Sequence, residues 1–138
     1  MSISPLARVS SGVRLGRNAR IGDFTIVHDD VELGDDVVIE SHCVIGHPTP
    51  LAEGRPLVIG VGALVRSHSI FYQGSTFGPG LRTGHRVTVR ERVTAGVDLQ
   101  IGTLCDFQGH TTLGDHVRTH SSVHIGQLSR IGDFVWIF

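Results

Sequence analysis

The stretch I-G-D-F-T-I-V-H-D-D-V-E-L-G-D-D-V, Ile21 to Val37, decides how this chain folds. Branched apolar residues stand six apart at Ile21, Val27 and Leu33, and a small residue follows each by four, at Thr25, Val31 and Val37. Glycine comes directly after two of the three, at Gly22 and Gly34. Stepping outward by six reaches Ile3, Val9 and Leu15 on one side and Ile39 and Ile45 on the other. The phase then breaks, resumes at Ile59 and continues to Ile137, giving 22 anchor positions of which 16 are Ile, Val or Leu. Those three residue types make up 39 of the 138 residues, so about 6 anchors would carry them by chance. The repeat is real and spans the chain.

The column four residues after each anchor is small almost throughout, with only Leu81 and Leu99 large. Twelve of the 18 glycines directly follow an anchor, where glycine is expected to supply the corner dihedrals. A period of six excludes an amphipathic helix, whose stripe recurs every 3.6 residues. It exceeds the two-residue alternation of a plain strand. A short strand and a tight corner, repeated three times per coil of 18 residues, satisfies it. Successive coils then stack at the strand spacing of about 4.8 Å. Anchors point into a triangular prism and the small column sits where its wall closes. Cys43 and Cys105 fall in that small column, where a free thiol packs as a small hydrophobe.

Composition narrows the chemistry. Apolar residues are 40%, charged residues 18%, and the formal charge is −1, which speaks against a general binder of nucleic acid or of an anionic membrane. All 12 basic residues are Arg, so neither a Schiff-base nor a P-loop lysine is available. Met1 to Ser10 shows no secretory pattern, and no apolar run approaches the roughly 18 residues that span a bilayer. A cytoplasmic location is the expectation.

The quoted stretch, together with L-G-D-H-V-R-T-H-S-S-V-H-I-G from Leu113 to Gly126, resembles the hexapeptide-repeat family of acyltransferases. The resemblance implies an all-β left-handed parallel β-helix, an exception to the right-handed crossover rule. Some seven coils would form one domain over residues 1–138. Residues 47–58 shift the phase by two and hold three of the five prolines, which reads as a loop thrown from a corner or a skipped turn. The last repeat ends within Phe134–Phe138, so the domain is expected to lack C-terminal coils and a cap.

What the resemblance implies about function is more detailed. Such rods work as homotrimers whose sites lie between subunits, and they move an acyl group, usually from acetyl-CoA, to an amine or hydroxyl of a sugar or sugar nucleotide. A histidine serves as general base. His85 has the phase of that base in several sugar acyltransferases. The polar turn that accompanies it there aligns with His120-Ser-Ser-Val-His124, which points back to His110, one position off the family's histidine. His110 is favoured by this neighbourhood and His85 competes. In the nucleotide-amino-sugar N-acetyltransferases, which this stretch resembles most, an asparagine contacts the sugar; Ser122 stands in its place. His120, Ser122, His124 and Asp106 are therefore expected to bind substrate. No residue is singled out for the co-substrate, and no metal is expected.

Coil stacking adds a test: residues 18 apart share a place on adjacent coils. Asp106 thereby meets His124, where it flanks the polar turn, and Asp98 meets His116, which reads as an exposed ion pair. Arg66, Arg82, Arg86, Arg90 and Arg92 form a basic stretch that reads either as a phosphate dock or as a solvated outer face. Two other readings remain. A zinc enzyme of the carbonic-anhydrase type would use a histidine pair five apart, which only His42 and His47 provide. A non-catalytic scaffold or inactive fragment is the other.

Overall fold

The computed structural model describes residues 1–138. Twenty-two short strands, from Ser2–Ile3 to Trp136–Ile137, follow one another with a corner between each pair. Every third strand pairs in parallel, giving sheets of eight, seven and seven strands. The product is a left-handed parallel β-helix of three flat faces and a little over seven coils. We number the faces first, second and third by their opening strands, Ser2–Ile3, Arg8–Val9 and Arg14–Leu15. The first corner joins the first face to the second, and the others follow. Register is 18 residues, as in Asp106↔His124 and Gln100↔Arg118.

The two sequence columns form the core. Every anchor from Ile21 to Ile125 is buried, and Phe71, Phe77 and Phe107 are the largest side chains sealed inside. The rings of Phe71 and Phe77 meet edge to face, 5.4 Å between centroids, a favoured aromatic geometry. The small column also carries hydroxyls, because they cross-link neighbouring coils. Ser69 Oγ donates to the Arg66 carbonyl at 2.8 Å and accepts from Val87 N–H at 3.2 Å. Ser75 does the same with Arg90 and Val93. No buried side-chain polar atom lacks a partner, which is what buried hydroxyls require. Cys43 and Cys105 are buried free thiols, as expected. Burial pushes the Cys43 thiol up to about 11, so it packs and does not react.

The glycines have a different task from the expected one. The left-handed backbone falls three residues after most anchors, and non-glycine residues such as Asn18, Asp36, His68 and His116 adopt it there with φ near 60°. Most glycines directly after an anchor have ordinary dihedrals. They are needed because the next coil presses on them: a Cβ on Gly34 would lie 2.8 Å from Val61 N, and one on Gly22 2.8 Å from Ser41 N. The residue after that glycine explains the recurring G-D. Asp35 Oδ1 accepts the Arg17 backbone N–H of the preceding coil at 2.7 Å, and Asp115 and Asp133 cap Val97 and Asp115 alike. That backbone hydrogen bond, reinforced by the Arg17 side chain, holds the Asp35 carboxyl below its ordinary range.

The phase break is a projecting loop, and no face is skipped. Ile45 and Ile59 lie on neighbouring faces, with the extra residues thrown out at the second corner between Val44–His47 and Leu57–Ile59. Thr49 caps a single 3-10 turn, Pro50–Ala52. Ala52 is buried over Gly74, and Glu53 pairs with Arg92 at 3.4 Å. The loop therefore lies down along its own corner. At the far end, Phe134, Trp136 and Phe138 are exposed.

Candidate functional site

With the interior filled by side chains, ligands have only the outer faces and corners. The first corner is the richest chemically. Its left-handed positions stack Phe24, His42, His68 and Arg86 in successive coils, with the His42 and His68 rings parallel and 4.8 Å apart. Desolvation, then the Arg86 charge and the neighbouring imidazoles, hold the His68 ring below its ordinary value. One residue before Arg86 stands His85. Its Nδ1 lies 2.9 Å from Ser67 Oγ and its backbone N–H donates to Thr103 Oγ1 at 3.2 Å. Ser67 is in turn held by its own N–H, which donates to Glu40 Oε1 at 3.2 Å.

From this corner a groove of about 240 Å³ opens onto the first face. His85 and Thr103 line one side, and Arg66, Arg82, Gln100 and Arg118 supply most of its polar groups. Arg82, Gln100 and Arg118 are consecutive rungs of one sheet. Stacked strands thus align two guanidinium groups beside an imidazole. Guanidinium suits phosphate and carboxylate, and imidazole suits proton transfer near neutral pH.

The other candidate residues are spread over more than one surface. His120 and Ser122 belong to the first corner, and the His120 ring packs against Phe138 at 4.5 Å. Asp106 and His124 face outward from the second face, 3.3 Å apart, and Gln108 Nε2 donates to both Asp106 oxygens at 3.0 Å. His110 lies at the second corner, across that face from Ser122, with a left-handed backbone and no side-chain hydrogen bond. One chain therefore does not bring His110 together with His85 or with the Ser121–Ser122 turn. Asp98 and His116 pair at the third corner, 3.1 Å apart, where the His116 hydrogen bond holds the Asp98 carboxyl low.

The basic stretch divides in the same way. Arg66 and Arg82 enter the groove, but Arg90 binds Glu91 and lies over Tyr72, and Arg92 binds the loop through Glu53. Arg118 is among the groove residues that the sequence reading missed, with Gln100 and Thr103. Its signal was the spacing of two coils from Arg82. His42 and His47 flank opposite sides of the second face, so their spacing of five makes no chelating pair. No cluster of three His, Cys, Asp or Glu donors forms in the chain.

Comparison with known proteins bears on this rod directly. Residues 3–47 match the family model described as bacterial transferase hexapeptide (six repeats). The fold is the left-handed parallel β-helix, and the family match covers its first third. Among solved structures, the UDP-N-acetylglucosamine acyltransferase of Francisella novicida is 20% identical with a TM-score of 0.68, over 99% of this chain and 60% of that one. The UDP-N-acetylglucosamine O-acyltransferase of Moraxella catarrhalis is 22% identical with a TM-score of 0.67, over 99% and 64%. A Bacillus cereus protein classed as an acetyltransferase is 17% identical with a TM-score of 0.74, over 92% and 69%. The hexapeptide rod described here spans less than two thirds of the length of the first two. No curated protein sequence matches the chain. No helix in it is long and apolar enough to cross a membrane.

Proposed function

We propose that this rod belongs to an acyltransferase that moves an acyl group from a CoA thioester, acetyl-CoA in the simplest case, to a hydroxyl or amine of a sugar nucleotide. The observation that carries the reading is the groove that sets His85 beside Arg66, Arg82 and Arg118. Diphosphate is the feature shared by both reactants, and a row of guanidinium groups on a rigid sheet binds it bidentately. His85 takes the acceptor proton as the oxygen or nitrogen attacks the thioester carbonyl. The C–S bond then breaks, and the thiolate leaves with the proton that His85 returns. Supporting the choice of acceptor, two of the solved structures with this fold are UDP-N-acetylglucosamine acyltransferases.

The groove is shallow and open on one side, so a neighbouring rod in a homotrimer is proposed to close it. We place the single rod domain in the cytoplasm, where CoA thioesters and sugar nucleotides are made. His85 is preferred to His110 as base because it alone adjoins the arginine groove. His120 and Ser122, on the same corner, are proposed acceptor contacts; Asp106 and His124 serve only if the partner rod brings them near. The test is thiol release from acetyl-CoA with a panel of amino-sugar nucleotides. His85→Ala should lower turnover about a hundredfold, and His110→Ala should leave it within about twofold. The reverse pattern refutes the assignment.

A further inference from the structure

His85 alone does not make a base. A neutral imidazole has one basic nitrogen, and which one it is depends on where the proton of the other is held. The ring is on an exposed corner, where rotation about its side chain would spread it over several orientations. The ring makes one side-chain hydrogen bond, that of Nδ1 with Ser67 Oγ at 2.9 Å.

We propose that Ser67 is the positioning residue of the site: its oxygen accepts Nδ1–H and thereby leaves the Nε2 lone pair for the acceptor. This rests on His85 being the base. Three observations support the assignment to Ser67. Ser67 is in register one coil before His85, so the bond joins equivalent corner positions of two stacked coils, which the Arg86 N–H to Ser67 carbonyl hydrogen bond also ties together. Ser67 is itself anchored, since its backbone N–H donates to Glu40 Oε1 at 3.2 Å one coil further back. The His85 backbone is tied in the opposite direction, to Thr103 Oγ1 at 3.2 Å. Glu40, Ser67, His85 and Thr103 thus form a four-coil polar ladder that presents the imidazole and the Thr103 hydroxyl to the groove.

A hydroxyl in this place differs from a carboxylate. It orients the ring without placing a negative charge beside it. Ser67 could instead be a nucleophile, with His85 as its base; the two roles predict different results. The experiment is performed on the full chain with Ser67→Ala and Ser67→Thr. Nitrogen-15 correlation spectra of the histidine side chains should show His85 as the Nδ1–H tautomer in the wild type, lost in Ser67→Ala and retained in Ser67→Thr. In the thiol-release assay Ser67→Ala should lower kcat about fivefold with KM little changed, the effect of one exposed hydrogen bond, and Ser67→Thr should restore it. An Nε2–H tautomer in the wild type, or an unchanged kcat in Ser67→Ala, overturns the proposal. So does complete loss of turnover with an acyl group found on Ser67 by mass spectrometry, the mark of a nucleophile. Should His85→Ala keep full turnover, the base assignment falls, whatever the tautomer shows.

Discussion

Three glycine-to-alanine substitutions separate the two reasons a corner can need glycine. At Gly34 a Cβ would lie 2.8 Å from Val61 N, 2.9 Å from Gly60 C and 3.1 Å from Val61 Cα, all backbone atoms with no flexible end to move aside. Overpacking of this kind costs about 1–3 kcal/mol. Restricting the unfolded chain returns about 0.4–1 kcal/mol, so Gly34→Ala should destabilise by about 1–2 kcal/mol. Gly62 has open space but a φ of +75°, for which a side chain costs about 1–2 kcal/mol, less the same unfolded-state gain. Gly126 has neither a close neighbour nor a left-handed φ, and alanine there should be neutral or stabilising by up to about 1 kcal/mol. The assay is urea unfolding followed by circular dichroism. With a slope of about 2 kcal/mol per molar, Gly34→Ala should lower the midpoint by about 0.5–1 M. Equal midpoints for Gly34→Ala and Gly126→Ala would refute the claim that coil-to-coil contact demands glycine after an anchor. If Gly62→Ala were the most damaging, backbone dihedrals would be the stronger demand.

Other expectations follow from the same coordinates. Phe107 is wholly buried, so Phe107→Ala should destabilise by about 3–5 kcal/mol, read from the same unfolding curves. Asp35 is held below the ordinary carboxylate range by the Arg17 N–H. Its stabilising contribution is therefore complete above the unfolded-state value and is lost as pH falls through the lowered folded value. The stability difference between wild type and Asp35→Asn should accordingly shrink in acid, and a constant difference would contradict the cap. Arg82→Gln and Arg118→Gln should each weaken CoA binding about fivefold by calorimetry, whereas Arg130→Gln, on the third face, should not.

The rod was legible from one column of branched residues. Ile21, Val27 and Leu33 repeat at a period that only a three-sided coil buries, and Thr25, Val31 and Val37 fit the narrow places between coils. Three features resisted reading. Glycine is favoured both by left-handed dihedrals and by close approach, so Gly22 and Gly34 could not reveal which applied until the neighbouring coil was in place. The candidate site was read by family alignment over neighbouring residues, and neighbours in sequence turn onto different surfaces every six residues. His110 and Ser122 stand at different corners, on opposite sides of the second face, for that reason, although counting by coils would have separated them. The same count joins Arg82 to Gln100 and Arg118. The depth of the groove was not legible, since it depends on how long arginine side chains lie across the sheet.

The most direct test of a ligand-binding first face is amide chemical-shift mapping of the full chain titrated with acetyl-CoA and, separately, with a UDP-amino sugar. Binding in the arginine groove should shift residues 82–86, 100–103 and 118–120 and spare residues 88–92 and 106–110. Shifts confined to the second face and the His110 corner would contradict it.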